Sequence, residues 1–215
     1  EVDASLRRLG TDHIDLLQTH AQALEPFKTP IADTMSCLMD LRQEGKILAI
    51  GVSNCSPSQM DEYRAAGALV SNQPRFSILD RTIERALLPY CRQHNVAVLA
   101  YSPLEQGLLT GKIGMDTTFA PESFRNKIQW YSPDKRRLVL DMLDGWKNLT
   151  HKYECTLSQL VIAWTISQPG LTVALCGARK VSDAVENARA GSIELEPEDI
   201  ALMRDNAEDI APLRT

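Results

Sequence analysis

The 215-residue chain is long enough to bury one large core, so a single domain is its natural reading. A net charge of −5 without an extended basic run argues against a nucleic-acid or anionic-membrane surface, and no stretch resembles a transmembrane span or a signal peptide. Cys37, Cys55, Cys91, Cys155 and Cys176 are odd in number and lie mostly in apolar runs, which reads as reduced thiols in a cytoplasmic protein.

In chain order, Leu9-Gly10 closes a helix through a left-handed glycine, and residues 14–19 form a first strand that exits at His20. A helix over residues 31–44 places Ile31, Met35 and Leu38 near one face, with Gly45 past its end. Residues 47–52 are a second strand, leaving at Ser53-Asn54, and Ser56-Pro57-Ser58-Gln59 opens the next helix with a capping box. A short third strand over 69–72 exits at Gln73 and precedes a helix carrying Ile83, Leu87, Leu88 and Cys91. The fourth strand, 96–101, exits at Tyr101-Ser102. Residues 105–131 show no sustained periodicity and read as a long mobile loop. Ser132-Pro133 starts a helix whose stripe runs through Val139, Met142, Leu143, Trp146 and Leu149. Thr156-Leu157-Ser158-Gln159 is a second capping box, with Leu157, Leu160, Val161 and Trp164 expected to face inward and Pro169-Gly170 to stop the helix. A last strand at 173–176 leads through Gly177-Ala178-Arg179 into a helix over 181–190, and Pro197 begins a terminal helix expected to pack across the outside.

Apolar strands that alternate with helices and end in polar residues are the pattern of a parallel α/β barrel, whose chemistry sits at the strand exits. A complete eight-unit barrel takes about 250 residues, so five strand-helix units leave roughly three unaccounted for. The chain also opens at Glu1 in what reads as the end of a helix without an initiator Met, as a fragment would.

At the exits, His20 could hydrogen-bond a carbonyl or act as acid or base, or it could be structural. Ser53-Asn54 and Gln73 offer hydroxyl and amide groups that suit a ligand carboxamide, although each could equally belong to a turn. Tyr101 could stack on a planar ring or belong to the core. Gly177-Ala178-Arg179-Lys180 ahead of a helix N-terminus suits a phosphate, or is a solvated basic turn. His13, His20, His94 and His151 lack metal-ligand spacing, so no metal is expected. The combination of amide, ring and phosphate sites points to a nucleotide cofactor.

Six segments carry a resemblance: residues 5–20 (SLRRLGTDHIDLLQTH), Gly51-Val52-Ser53-Asn54, residues 72–77 (NQPRFS), Ala100-Tyr101-Ser102-Pro103-Leu104, residues 107–112 (GLLTGK), and Gly177-Ala178-Arg179 with Glu186-Asn187. In this order they resemble the aldo/keto reductase family, above all its bacterial-type members and the related potassium-channel β-subunits. The resemblance implies a TIM (β/α)8 barrel, of which this single domain over residues 1–215 would be strands 4 to 8, and an NADP(H) cofactor bound without a Rossmann fold. Ser53, Asn54 and Gln73 would then hold the nicotinamide carboxamide, with Tyr101 stacking on the ring. Ser102, Pro103, Leu104, Gly107 and Lys112 would line the pyrophosphate. Gly177, Arg179, Asp183, Glu186 and Asn187 would take the adenosine end, joined by Arg125 from the long loop. Of the family's catalytic Asp, Tyr, Lys and His, only the histidine has a counterpart, His20. Leu175-Cys176 stands where many members place Ile-Pro. The implied activity is reduction of an aldehyde or ketone to an alcohol by hydride transfer. The alternative is a nucleotide-binding or regulatory barrel without useful turnover, or an inactive fragment. Neither the carbonyl substrate nor the oligomeric state is legible.

Overall fold

Parallel strands separated by helices are what the computed structural model contains; it describes residues 1–22, 26 and 28–211. The chain divides into two compact units, Glu1–Pro74 with Ile83–Leu99, and Arg75–Thr82 with Ala100 onward.

In the first unit, α1 (Val2–Leu9) stops at Gly10, whose φ of 69° is the left-handed conformation expected of the Leu-Gly pair. β1 (Ile14–Thr19), β2 (Ile47–Ser53), β3 (Ser71–Gln73) and the start of β4 (Ala97–Tyr101) follow one another in chain order with parallel pairing. The register sets Gln18 opposite Gly51, Ser53 opposite Gln73, and Asn72 opposite Val98. Strand β2 is buried over most of its length, as a parallel strand covered on both faces should be, whereas β1 is nowhere fully buried. The helices α2 (Ile31–Gln43), α3 (Pro57–Ala66) and α4 (Leu87–Gln93) bury Met35 and Leu38, Met60 and Tyr63, and Leu87, Leu88 and Cys91. The capping box at α3 forms: the Gln59 N–H donates to Ser56 Oγ at 3.2 Å, and the Ser56 N–H to Gln59 Oε1 at 2.9 Å. Gly51 is required by close approach. A Cβ there would lie 2.3 Å from Ser71 Oγ and 2.8 Å from Gln18 Cγ.

In the second unit, the end of β4 is followed in strand order by β5 (Val173–Leu175). The expected apolar stripe after Ser132 is buried, but it spans two helices, α5 (Pro133–Gly145) and α6 (Lys147–Lys152), because the backbone leaves helical geometry at Trp146. Helix α7 (Leu157–Ile166) departs from the expected one-sided pattern. All residues from Ser158 to Thr165 are buried, so the helix is enclosed and no amphipathic stripe marks it. Phe76 stacks on Trp164 with ring centroids 6.1 Å apart. α8 (Val181–Arg189) buries no residue, and α9 (Pro197–Ile210) buries only Met203 and Ala207. α9 is tied to the junction of α5 and α6 and to α7 by indole donors, Trp146 Nε1 to Asn206 Oδ1 at 3.0 Å and Trp164 Nε1 to the Ile200 carbonyl at 3.1 Å.

The segment between β4 and α5 is not an open loop. It contains 3-10 turns at Glu105–Thr110, Phe124–Lys127 and Gln129–Tyr131, and Arg136 of α5 stitches it down. The Arg136 guanidinium donates to the carbonyls of Thr117 and Tyr131, both at 2.9 Å. Sequence periodicity misses this order because one buried arginine holds the segment through backbone carbonyls, which any residue supplies.

Candidate active site

The strand ends of the first unit are held by the sheet itself. Ser53 is buried, and its hydroxyl donates to the Gln73 carbonyl at 2.7 Å, across the Ser53–Gln73 register pair. The Asn54 amide donates to Ser53 Oγ at 3.2 Å, and Asn54 itself turns out of the strand at φ 55°, a left-handed conformation that asparagine tolerates better than most residues. Gln73 Nε2 donates to Gln18 Oε1 at 2.8 Å, and Gln18 Nε2 contacts the Val52 carbonyl and Ser71 Oγ, each at 3.3 Å. Ser53, Asn54, Gln73 and Gln18 therefore form one connected polar network. His20 directly follows β1 and is exposed. Gln18 was not among the expected residues. The available signal is that it stands two positions before His20, so that the two share a face.

The second unit brings a longer set of expected residues together around a cavity of about 570 Å³. Ser102, Pro103, Leu104, Gly107, Lys112 and Arg125 line one part of it. Gly177, Arg179, Asp183, Glu186 and Asn187 line another, together with Ser158, which sequence reasoning did not single out. Tyr101 ends β4 next to Ser102 and is not among the lining residues.

Three cations and two acids share this cavity. Lys112 Nζ lies 3.4 Å from Glu186 Oε2, and Glu186 Oε1 accepts from the Thr156 hydroxyl at 2.9 Å. Asp183 accepts the Arg179 backbone N–H at 3.1 Å, and Asn187 Nδ2 donates to the Gly177 carbonyl at 3.2 Å, so two side chains of α8 fasten the turn before it. Burial pushes the Cys176 thiol up to about 11, which keeps it protonated and unreactive.

The turn after β4 is strained. Ser102, Glu105 and Gln106 have φ of 59°, 45° and 54°, where each non-glycine residue costs on the order of 1–3 kcal/mol, and Gly107 follows at 99°. Glu105, which nothing local in the sequence distinguishes, holds this turn through its side chain. Its side chain is fully buried, accepts the Ser77 hydroxyl at 2.5 Å and pairs with Arg75. Burial pushes its carboxyl above the usual range, outweighing the downward pull of Arg75 and Ser77. On the other side, the Tyr131 hydroxyl donates to the carbonyls of Glu105 and Gln106 at 3.0 and 3.1 Å. Arg125 adds Nε and Nη2 to the Gln106 carbonyl at 3.0 and 2.9 Å.

Among the described residues, no group of three or more His, Cys, Asp or Glu side chains could hold a metal ion, and no helix is long and apolar enough to cross a membrane.

Comparison with known proteins places these features in a family. Residues 1–208 match the family model described as Aldo/keto reductase family. The chain is 44% identical over 208 residues to the NADH-specific methylglyoxal reductase of Escherichia coli, covering 97% of this chain and 63% of that protein. It is 38% identical over 181 residues to the aldo-keto reductase YhdN of Bacillus subtilis, covering 84% of this chain and 54% of that protein. The glycerol dehydrogenase AKR11B4 from Gluconobacter oxydans superposes with a TM-score of 0.89 at 34% identity, over 100% of this chain and 64% of that structure. The chain thus spans between half and two thirds of the length of these relatives. By sequence and by fold it belongs to the aldo/keto reductase family.

Proposed function

We propose that this chain supplies the dinucleotide-binding part of a cytoplasmic, NADP(H)-dependent aldo/keto reductase acting on a small aldehyde or ketone, and that its five strands correspond to strands 4 to 8 of a (β/α)8 barrel. The observation that carries the reading is the cavity of the second unit, which gathers every expected cofactor residue from Ser102 to Asn187. Its donor set fits a dinucleotide: Lys112 suits a pyrophosphate, Arg125 and Arg179 suit the adenosine end, and Gly107 and Gly177 leave the backbone open to close approach. When bound, the cofactor supplies the hydride.

The chain's own residues orient and bind. Ser53, Asn54 and Gln73 offer hydrogen bonds to the carboxamide, and Tyr101 offers a ring face. His20 orients the substrate carbonyl oxygen, while the proton donor of the family has no counterpart in this sequence. Arg179 meets the 2′-phosphate of the phosphorylated cofactor with a charge-assisted bond.

A second reading, the unphosphorylated cofactor, is favoured by Asp183, a carboxylate beside Arg179 that suits ribose hydroxyls and repels a phosphate. It agrees with the NADH specificity in the name of the Escherichia coli relative. Tryptophan fluorescence of this chain, titrated with NADPH and with NADH, tests both readings. The expected result is binding of both with preference for NADPH, and selective loss of that preference in Arg179→Ala. Equal losses would give the site to the second reading, and failure of both dinucleotides to bind would remove the proposed function.

A further inference from the structure

We infer that Glu105 and Tyr131 are positioning residues which preset the turn after β4 for a dinucleotide without touching it, with Arg125 as the side chain that reaches from their clamp into the cavity. The inference rests on the dinucleotide reading of that cavity.

Ser102, Glu105 and Gln106 all adopt left-handed φ within five positions, a stretch that relaxes unless its surroundings overdetermine it. Two anchors do so from residues distant in sequence. From beneath, the buried Glu105 side chain is fastened to Ser77 and Arg75. From the long segment, Tyr131 and Arg125 converge on the two carbonyls in the middle of the turn. Tyr131 bonds to both, and Arg125 adds two donors to that of Gln106.

A trans peptide points its N–H away from its carbonyl, so clamping the Glu105 carbonyl also fixes the direction of the Gln106 N–H. The bond from the Gly107 N–H to the Leu104 carbonyl, 2.9 Å, closes the same turn. Tyr131 is itself braced: Phe119 meets it edge-on at 5.3 Å, and Arg136 holds its carbonyl.

Neither Glu105 nor Tyr131 lines the cavity, whereas Ser102, Leu104, Gln106 and Gly107 of the clamped turn do. The Tyr131 hydroxyl bonds to backbone carbonyls of the lining turn, and the Glu105 carboxyl anchors that turn to Ser77 and Arg75, so both act on a ligand through the turn. Their effect is preorganisation: the ordering cost is met during folding and is not charged against binding.

The test uses Tyr131→Phe, which keeps the ring against Phe119 and removes only the hydroxyl, and Glu105→Gln, which keeps the shape and removes the charge. Hydrogen–deuterium exchange on the cofactor-free chain reads the turn, and titration with NADPH and NADH reads the site. Amides of Ser102 and of residues 104–107 should exchange about tenfold faster, the equivalent of one lost hydrogen bond, while those of α7 and α9 stay as protected as before. Dinucleotide affinity should fall by about the same factor. Unchanged exchange at 102–107 in Tyr131→Phe overturns the inference, as does a rise spread evenly over the whole chain, the mark of a purely structural role. Faster local exchange with undiminished affinity overturns it too. If the unmodified chain binds neither dinucleotide, the proposed function falls while the exchange measurement still decides whether the clamp exists. Because Tyr131→Phe removes one oxygen only, the result does not depend on Glu105→Gln folding.

Discussion

The polar groups at the ends of β2 and β3 and those of the turn after β4 are held by opposite means. Ser53, Gln73 and Gln18 meet because parallel register puts their strands side by side, and their bonds link neighbouring strands of one ladder. The 102–107 turn has no ladder. Its conformation depends on Ser77, Arg125 and Tyr131, and on Arg136, which ties down the segment that carries two of them. The first arrangement comes with the sheet, and damage to it should stay within the sheet. The second is assembled from single side chains far apart in sequence, and each is a point of failure.

Arg136→Ala is the severest test of that contrast. It removes charge-assisted bonds to the Thr117 and Tyr131 carbonyls and leaves them with no donor in its place, so a loss of about 3 kcal/mol is expected in urea unfolding. Proteolysis should then open residues 105–131 ahead of the strands of the first unit. Cleavage that begins in the first unit would break the comparison.

Gly51→Ala strikes the other region. The new methyl meets Ser71 Oγ and Gln18 Cγ, and overpacking of this kind costs about 1–3 kcal/mol. The Gln18–Gln73 bond should be displaced with it, visible as shifts in the side-chain amide resonances of both glutamines, while exchange at residues 102–107 stays unchanged. A response at that turn would show that the two regions are not independently held.

The smallest effect sharpens the contrast through pH. No titratable side chain takes part in the Ser53–Gln73–Gln18 bonds, but the other region turns on Glu105, whose folded pKa is raised by burial. A carboxyl with a raised folded pKa contributes stability that is fully present below its unfolded value and is lost as pH rises through the folded one. The stability of the unaltered chain relative to Glu105→Gln should therefore decline as pH climbs from the ordinary carboxylate range, at no more than about 1.4 kcal/mol per pH unit. Urea midpoints across that range check it; a relative stability that increases with pH would mean that Arg75 and Ser77 outweigh burial.

The two regions also differ in how legible they were. Ser53, Asn54 and Gln73 stand where apolar runs stop and could be picked out from position alone, whereas Gln18, inside β1, was missed. Part of the second-unit cavity was legible: Ser102 and Arg179 lie at strand exits, whereas Gly107 and Asn187 came from the family resemblance and Ser158 was missed. The support of the cavity was not legible. Glu105 reads as one more polar loop residue, and nothing local distinguishes a carboxylate that ends fully buried from one that stays in water. Residues 105–131 read as a mobile loop for the same reason, because the order comes from Arg136 and Tyr131 acting on backbone carbonyls. Helix α7 was legible as a helix from its capping box, but its burial on every side was not, because an enclosed helix has no polar face to set its period.

By itself the sequence determined the alternation of strands and helices, the caps at Ser56 and Thr156, the stop at Gly10 and the polar residues at each strand end. These depend on neighbours within a few positions, through backbone hydrogen bonding and the periods of the two regular structures. Only the tertiary structure decided which strand-end groups bond to one another, that Glu105 is buried, and that the turn after β4 is clamped from residues about 20–30 positions away. Those outcomes depend on burial and on pairings between distant side chains, which local propensity does not encode.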